Sequence, residues 1–179
     1  MHFTILRSEE KHHGRIVNLV LQRIRYASGN ETVREIVEHP GGAVALGVFE
    51  NGEILLVKQF RHPINGEVIE LPAGKLDAGE DPLHCAQREL QEETGYASEQ
   101  WTKLTTMMTT PGFCNERLHI YLAEKIFPSP KGQALEEGEQ SMQLMRVTLA
   151  DAIAMIERGE IGDSKTIAGI FLGERKLKK

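Results

Sequence analysis

Residues Asp81 to Gly95 carry both ends of an α-helix, and the faces of that helix restrict what the rest of the chain must build. Asp81 is an N-cap residue type, Pro82 suits a first turn where its missing N–H costs nothing, and Gly95 suits the left-handed position past the last turn. Over 82–94 (PLHCAQRELQEET), at about 100° per residue, Leu83, Ala86 and Leu90 form one narrow apolar stripe that must face a core. Glu89 and Glu93 are four apart and Glu92 is three from Glu89, so these carboxylates share an arc of only ~100° beside that stripe. They sit at the boundary of the core. Like charges at this spacing cost about a few tenths of a kcal/mol per pair in an isolated helix, so something cationic must compensate. Arg88 can serve one of them, together with Glu80, but cannot serve all. Ligands that are all carboxylate oxygens fit a hard divalent cation, Mg²⁺ or Mn²⁺, rather than zinc.

Around this helix the chain alternates strands and helices. Residues 16–26 and 32–38 are rich in β-branched types, with Ser28-Gly29-Asn30 between them as a turn, so a hairpin-like N-terminal element is expected. After Pro40-Gly41-Gly42, AVALGVF (43–49) reads as a buried strand, and Asn51-Gly52 turns the chain into ILLVKQF (54–60). Strand EVIEL (67–71) leads to a loop built on Pro72, Gly74 and Gly79. WTKLTTMM (101–108) and RLHIYLAE (117–124) are strands flanking TTPGFCNE. The polar stretch 127–140 is long enough for a functional or mobile loop. A strand near 142–148 precedes two helices, about 150–158 ended by Gly159 and about 164–175 capped by Ser164. The interspersed pattern predicts an α/β layered sandwich with a mixed sheet.

Bulk properties exclude several classes. With 179 residues and 40% hydrophobic content, the chain suits one globular domain with a small appendage. Its net charge of −5 argues against non-specific nucleic-acid binding, which needs a basic face. Cys85 and Cys114 form no disulfide framework and no CxxC, so free thiols in a reducing cytosol are expected. No segment resembles a signal peptide or a membrane span, which points to a cytoplasmic protein.

The helix also belongs to a longer frame. Gly74, five residues, Glu80, seven residues, then Arg88-Glu89-Leu90-Gln91-Glu92-Glu93-Thr94-Gly95 match the Nudix box at every fixed position. Seven such identities at ordinary residue frequencies arise by chance about 10⁻⁸ of the time per starting point. The sequence therefore resembles the Nudix family; only Tyr96, where an aliphatic residue is usual, departs from it. The resemblance implies a Nudix α/β/α sandwich over residues 40–179, with its box at 74–96, preceded by an N-terminal β region at 1–39 that pairs two copies. It implies that Glu89, Glu92, Glu93 and the Ala73 carbonyl hold metal, while Gly74, Glu80, Arg88 and Gly95 shape the loop and helix.

Three further features resemble the ADP-ribose pyrophosphatase branch. These are Glu70-Leu71-Pro72-Ala73-Gly74-Lys75-Leu76-Asp77, Pro111 placed 16 residues beyond Gly95, and Gln59-Phe60-Arg61. They imply hydrolysis of ADP-ribose to AMP and ribose 5-phosphate, with another nucleoside diphosphate sugar such as GDP-mannose as the alternative. A nucleotide-binding sensor without turnover is the reading from another class, and such modules tend to lose a metal glutamate that is present here. Arg61, Glu70 and Glu116 are the candidate substrate-binding residues, since the planar fork of an arginine grips phosphate. Among Glu136, Glu137 and Glu139, the catalytic base is expected at Glu139, with Glu137 second and Glu89 itself as the alternative. His119 is expected to pack rather than to catalyse. Homodimerisation would bring Arg23, Arg25 and Tyr26 to the partner's base pocket.

Overall fold

The computed structural model describes residues 2–178, which divide into two compact units. The first contains the residues up to Gly41 together with Met107–Arg117. Its strands β1 (Phe3–His13), β2 (Asn18–Tyr26) and β3 (Glu31–Glu38) form an antiparallel sheet in that order. The hairpin expected around Ser28-Gly29-Asn30 is present: Gly29, at φ 86°, donates to the Tyr26 carbonyl and Tyr26 to that of Asn30. β1 was not legible as a strand. Its side chains are almost all exposed, so no alternation marks it, and its two register shifts against β2 blur any period further. Val20 and Ile24 of β2 are the buried residues of this sheet. In the same unit the Thr110–Asn115 turn is tied to β3, because Val37 donates to Phe113 and Asn115 donates back to Val37.

The second unit holds Gly42–Thr106 and the chain from Leu118 onward. Its core strand is β4 (Gly42–Val48), every residue of which is buried. A strand of that kind needs a layer on each face. Beside it run β5 (Glu53–Arg61), β6 (Gly66–Glu70) and β7 (Ala73–Lys75). Next come helix α1 (Pro82–Thr94), β8 (Tyr96–Ala97), β9 (Gln100–Met108), β10 (Arg117–Glu124) and β11 (Phe127–Pro128). The chain ends with β12 (Gln143–Thr148), α2 (Leu149–Glu157) and α3 (Ser164–Leu177). The main sheet has the order β12-β5-β4-β10-β9, with β6 paired to β5 and β7 to β4. β4 and β10 are parallel while β5 pairs antiparallel with β4, β6 and β12, so the sheet is mixed as expected.

Alternation along β4 assigns its two faces. Ala43 clusters with Cys85 and Ala86 of α1, and Ala45 clusters with Leu90. On the opposite face, Leu46 packs where a Cβ at Gly173 of α3 would stand. α1 and α3 therefore cover opposite sides of β4, which makes this unit an α/β/α sandwich. Several element ends lie one or two residues from their expected places, and two further features differ from expectation. The cap of α3 is Asp163, whose carboxylate accepts from the Thr166 amide at 3.0 Å, and Ser164 is the first helical residue. The stretch 127–140 also contains β11 and a short 3-10 turn at Glu137–Glu139. No helix among the described residues is long and apolar enough to cross a membrane.

Candidate active site

The expected helix forms over Pro82–Thr94, with both ends as its sequence dictates. Asp81 accepts from the amides of Leu83 and His84, and Gly95, at φ 75°, donates to the Gln91 carbonyl. The loop before it is locked by Glu80. One fork of Arg88 grips both Glu80 oxygens, through Nε at 3.0 Å and Nη2 at 3.1 Å, while the Asp77 amide donates to the same carboxylate. The Arg88 hydrogen bond is the main reason that the Glu80 carboxyl falls to about 2, with the Asp77 amide assisting. Arg88 reaches further than the helix spacing suggested. Its Nη1 also donates to Glu89 at 2.6 Å and to Glu92 at 3.0 Å. A guanidinium has five N–H groups in a planar fork, so one arginine can hold three carboxylates. Glu93 is the box glutamate it does not reach.

Glu93 is 3% exposed and Glu89 9%. Burial raises the Glu93 carboxyl to about 8, and the negative charges of Glu89 and Glu139 push it the same way. The Ala73 amide, donating to Glu93 at 3.1 Å, and the charge of Arg61 only partly offset this. Glu89 is also raised, first by burial and then by Glu92 and Glu139, against the pull of Arg88. Buried carboxylates that repel one another and lack enough cations match a site that receives a hard cation. Gly74 adds to the fit: a Cβ built there would fall on the Glu89 carboxylate, so this approach requires glycine. As the side chains stand, no group of three or more His, Cys, Asp or Glu among the described residues is arranged to hold a metal. Glu89 and Glu92 are instead turned onto Arg88.

Arg61, at the end of β5 opposite Gly66, reaches back along the strand pair to Glu70, which stands opposite Val57. Glu70 is buried, and one oxygen accepts from Gln59 at 3.0 Å and from Arg61 at 2.7 and 2.9 Å. Its other oxygen accepts from Lys165 at 2.9 Å, which also pairs with Asp163 at 3.0 Å. Glu70 is thus surrounded by its own donors and holds Arg61, whose side chain keeps 41% exposure. Lys165 and Asp163 were not foreseen. Only Asp-Ser-Lys-Thr at a helix start marks them, and Glu70, the partner of Lys165, lies 95 residues earlier. Glu139 is half-buried and near enough to act on Glu89 and Glu93, whereas Glu137 is exposed. In the other unit, Glu116 pairs with His39 at 3.2 Å. His119 is half-buried, and its Nδ1 lies 3.1 Å from the Thr106 hydroxyl.

The NUDIX domain model matches residues 38–169. This chain belongs to the NUDIX family. An ADP-ribose pyrophosphatase from Bacillus subtilis is 41% identical over 88% of this chain and 84% of its own length. A methanol dehydrogenase activator from Bacillus methanolicus is 37% identical over 92% of this chain and 89% of its own. A GDP-mannose pyrophosphatase from Yersinia enterocolitica is 33% identical over 76% and 75%, respectively. Among solved structures, an ADP compounds hydrolase superposes with a TM-score of 0.86 at 21% identity, covering 99% of this chain and 95% of that one. That likeness establishes that the NUDIX chain shares its fold.

Proposed function

We propose that this NUDIX protein hydrolyses the pyrophosphate of a nucleoside diphosphate sugar, with ADP-ribose as substrate and AMP and ribose 5-phosphate as products. The observation that carries this reading is the pair of buried, under-compensated carboxylates Glu89 and Glu93 on a helix whose entry loop is locked by Glu80 and Arg88. The ADP-ribose pyrophosphatase relatives, at 41% and 38% identity over most of the chain, support the substrate.

Glu89, Glu92, Glu93 and the Ala73 carbonyl are the residues that would hold Mg²⁺, with Mn²⁺ as the substitute. A divalent cation at such a site neutralises pyrophosphate oxygens and the charge that develops as the bond breaks. Arg88 holds Glu89 and Glu92 through one oxygen each, so each keeps a second oxygen that would serve the cation. Arg61, held from behind by Glu70, presents its exposed guanidinium to phosphate oxygens. Glu139 orients the attacking water and accepts its proton, a role favoured over Glu137 by its half-buried position and its influence on Glu89 and Glu93.

The long outer strand β1 carries exposed Phe3, Ile5 and Leu6, a strand edge of the kind that pairing with a second copy covers. This edge supports the reading of a homodimer with residues 1–39 as the pairing region. The free thiols of Cys85 and Cys114 suit a reducing cytoplasm.

GDP-mannose is the second reading, supported by relatives of that name at 33% identity. Product release from a panel of nucleotide sugars with Mg²⁺ separates the two. Preferential release of AMP from ADP-ribose supports the first reading, and faster turnover of GDP-mannose replaces the substrate while keeping the mechanism.

A further inference from the structure

Helix α1 ends without a lysine or arginine in its last turn, yet its final carbonyls are not bare. The segment after β10 runs back along them. β11 pairs antiparallel with β8, Phe127 opposite Ala97 and Pro128 opposite Tyr96. The same direction then continues onto the helix. The Ser129 amide donates to the Gly95 carbonyl at 2.7 Å, Gln133 Nε2 to that of Glu93 at 2.8 Å, and the Ala134 amide to that of Glu92 at 2.9 Å. Gln91 Nε2 answers from the helix by donating to the Gly132 carbonyl at 2.6 Å. The last carbonyls of a helix have no partner within it, so these donors act as a cap assembled from a distant strap.

The strap also constrains the turn that carries Glu139. Two residues beyond Ala134 the chain closes a reciprocal box. The Glu136 amide donates to the Glu139 carboxylate at 3.0 Å and the Glu139 amide to the Glu136 carbonyl at 3.0 Å. Downstream, Met142 is buried and donates to the Glu139 carbonyl at 2.8 Å. Glu139 is therefore held between the strap and a buried anchor, on a path that retraces α1 toward Glu89. We propose that Gln133 and Gln91 are positioning residues that pin the strap in register along α1 and so set Glu139 opposite Glu89 and Glu93. The proposal rests on the reading of Glu139 as the residue that acts on water. Gln133 is exposed and Gln91 only partly buried, so removing either amide changes register far more than stability.

The test uses Gln133→Met and Gln91→Met, which keep the length of the side chain and delete its donor. Each is expected to lower kcat on ADP-ribose about three- to tenfold with KM within about twofold of wild type. Tm should hold, while exchange of the Ser129 and Ala134 amides accelerates. In a Glu139→Gln background, Gln133→Met should change kcat by less than about twofold, because the pin then has nothing to aim. Effects that multiply independently in the double variant would overturn the proposal. So would a wild-type kcat in both methionine variants while Glu139→Gln is impaired. A wild-type kcat in Glu139→Gln alone would instead remove the role of Glu139, and with it the purpose of the pins.

Discussion

The buried Glu93 carboxylate accepts a hydrogen bond from the Ala73 amide at 3.1 Å, which joins α1 to β7, the strand that ends just ahead of its entry loop. That single donor does not offset burial and the charges of Glu89 and Glu139, and the Glu93 carboxyl stands at about 8. A carboxyl raised on folding favours the protonated native state. Its contribution is full below the unfolded value of 4.5 and is lost as pH rises toward 8. The metal-free protein should therefore lose Tm between about pH 5 and pH 8, and Mg²⁺ should restore more at pH 8 than at pH 6. Glu93→Gln should flatten the pH dependence and abolish most of the Mg²⁺ gain. Differential scanning calorimetry with and without chelator measures both.

Glu80 has the opposite sign. Its carboxyl is lowered to about 2, chiefly by Arg88, so its contribution is present above 4.5 and disappears as pH falls toward 2. The two windows do not overlap, and Glu80→Gln should remove stability at neutral pH without altering the alkaline trend. Arg88→Lys replaces a fork that holds three carboxylates by a point charge. It should destabilise by about 1–3 kcal/mol and lower kcat/KM at least about tenfold. Urea unfolding and steady-state kinetics check these outcomes.

At the other end of the site, Arg61→Ala should raise KM for ADP-ribose while kcat falls less, if its proposed task is to hold phosphate oxygens. Glu70→Gln removes the anion between Arg61 and Lys165, of which Lys165 is 13% exposed. Breaking a buried pair costs about 3–5 kcal/mol, so this variant should lose stability as well as affinity. Arg61→Ala, which leaves Glu70 its Gln59 and Lys165 donors, should lose affinity with a smaller loss of stability. The contrast is read from KM and the urea midpoint of the same preparations.

The box helix was legible to the residue because each of its signals is local: a cap at Asp81, a proline at the first turn, a glycine past the end and an apolar stripe. β4 was readable to within one residue at each end from its unbroken apolar run. β1 was not, since an exposed strand lacks an alternating face, and β7 is too short to show any period. The cap of α3 lay one residue from its expected place because Asp163 and Ser164 are both good cap residues and only geometry chooses between them. Lys165 meeting Glu70 and Gln133 meeting the end of α1 depend on contacts between distant segments, which one sequence does not encode locally. The reach of Arg88 was underestimated because helix spacing counts neighbours, whereas its planar fork counts donors.

The most direct measurement is the release of AMP and ribose 5-phosphate from ADP-ribose with Mg²⁺, comparing wild type with Glu93→Gln. Wild type should cleave ADP-ribose, and the variant should lose at least about a thousandfold in kcat/KM with the fold intact. Equal cleavage by both proteins would contradict the assignment of the metal site. Failure of wild type to cleave any nucleoside diphosphate sugar, with nucleotide binding retained, would contradict the proposed reaction itself.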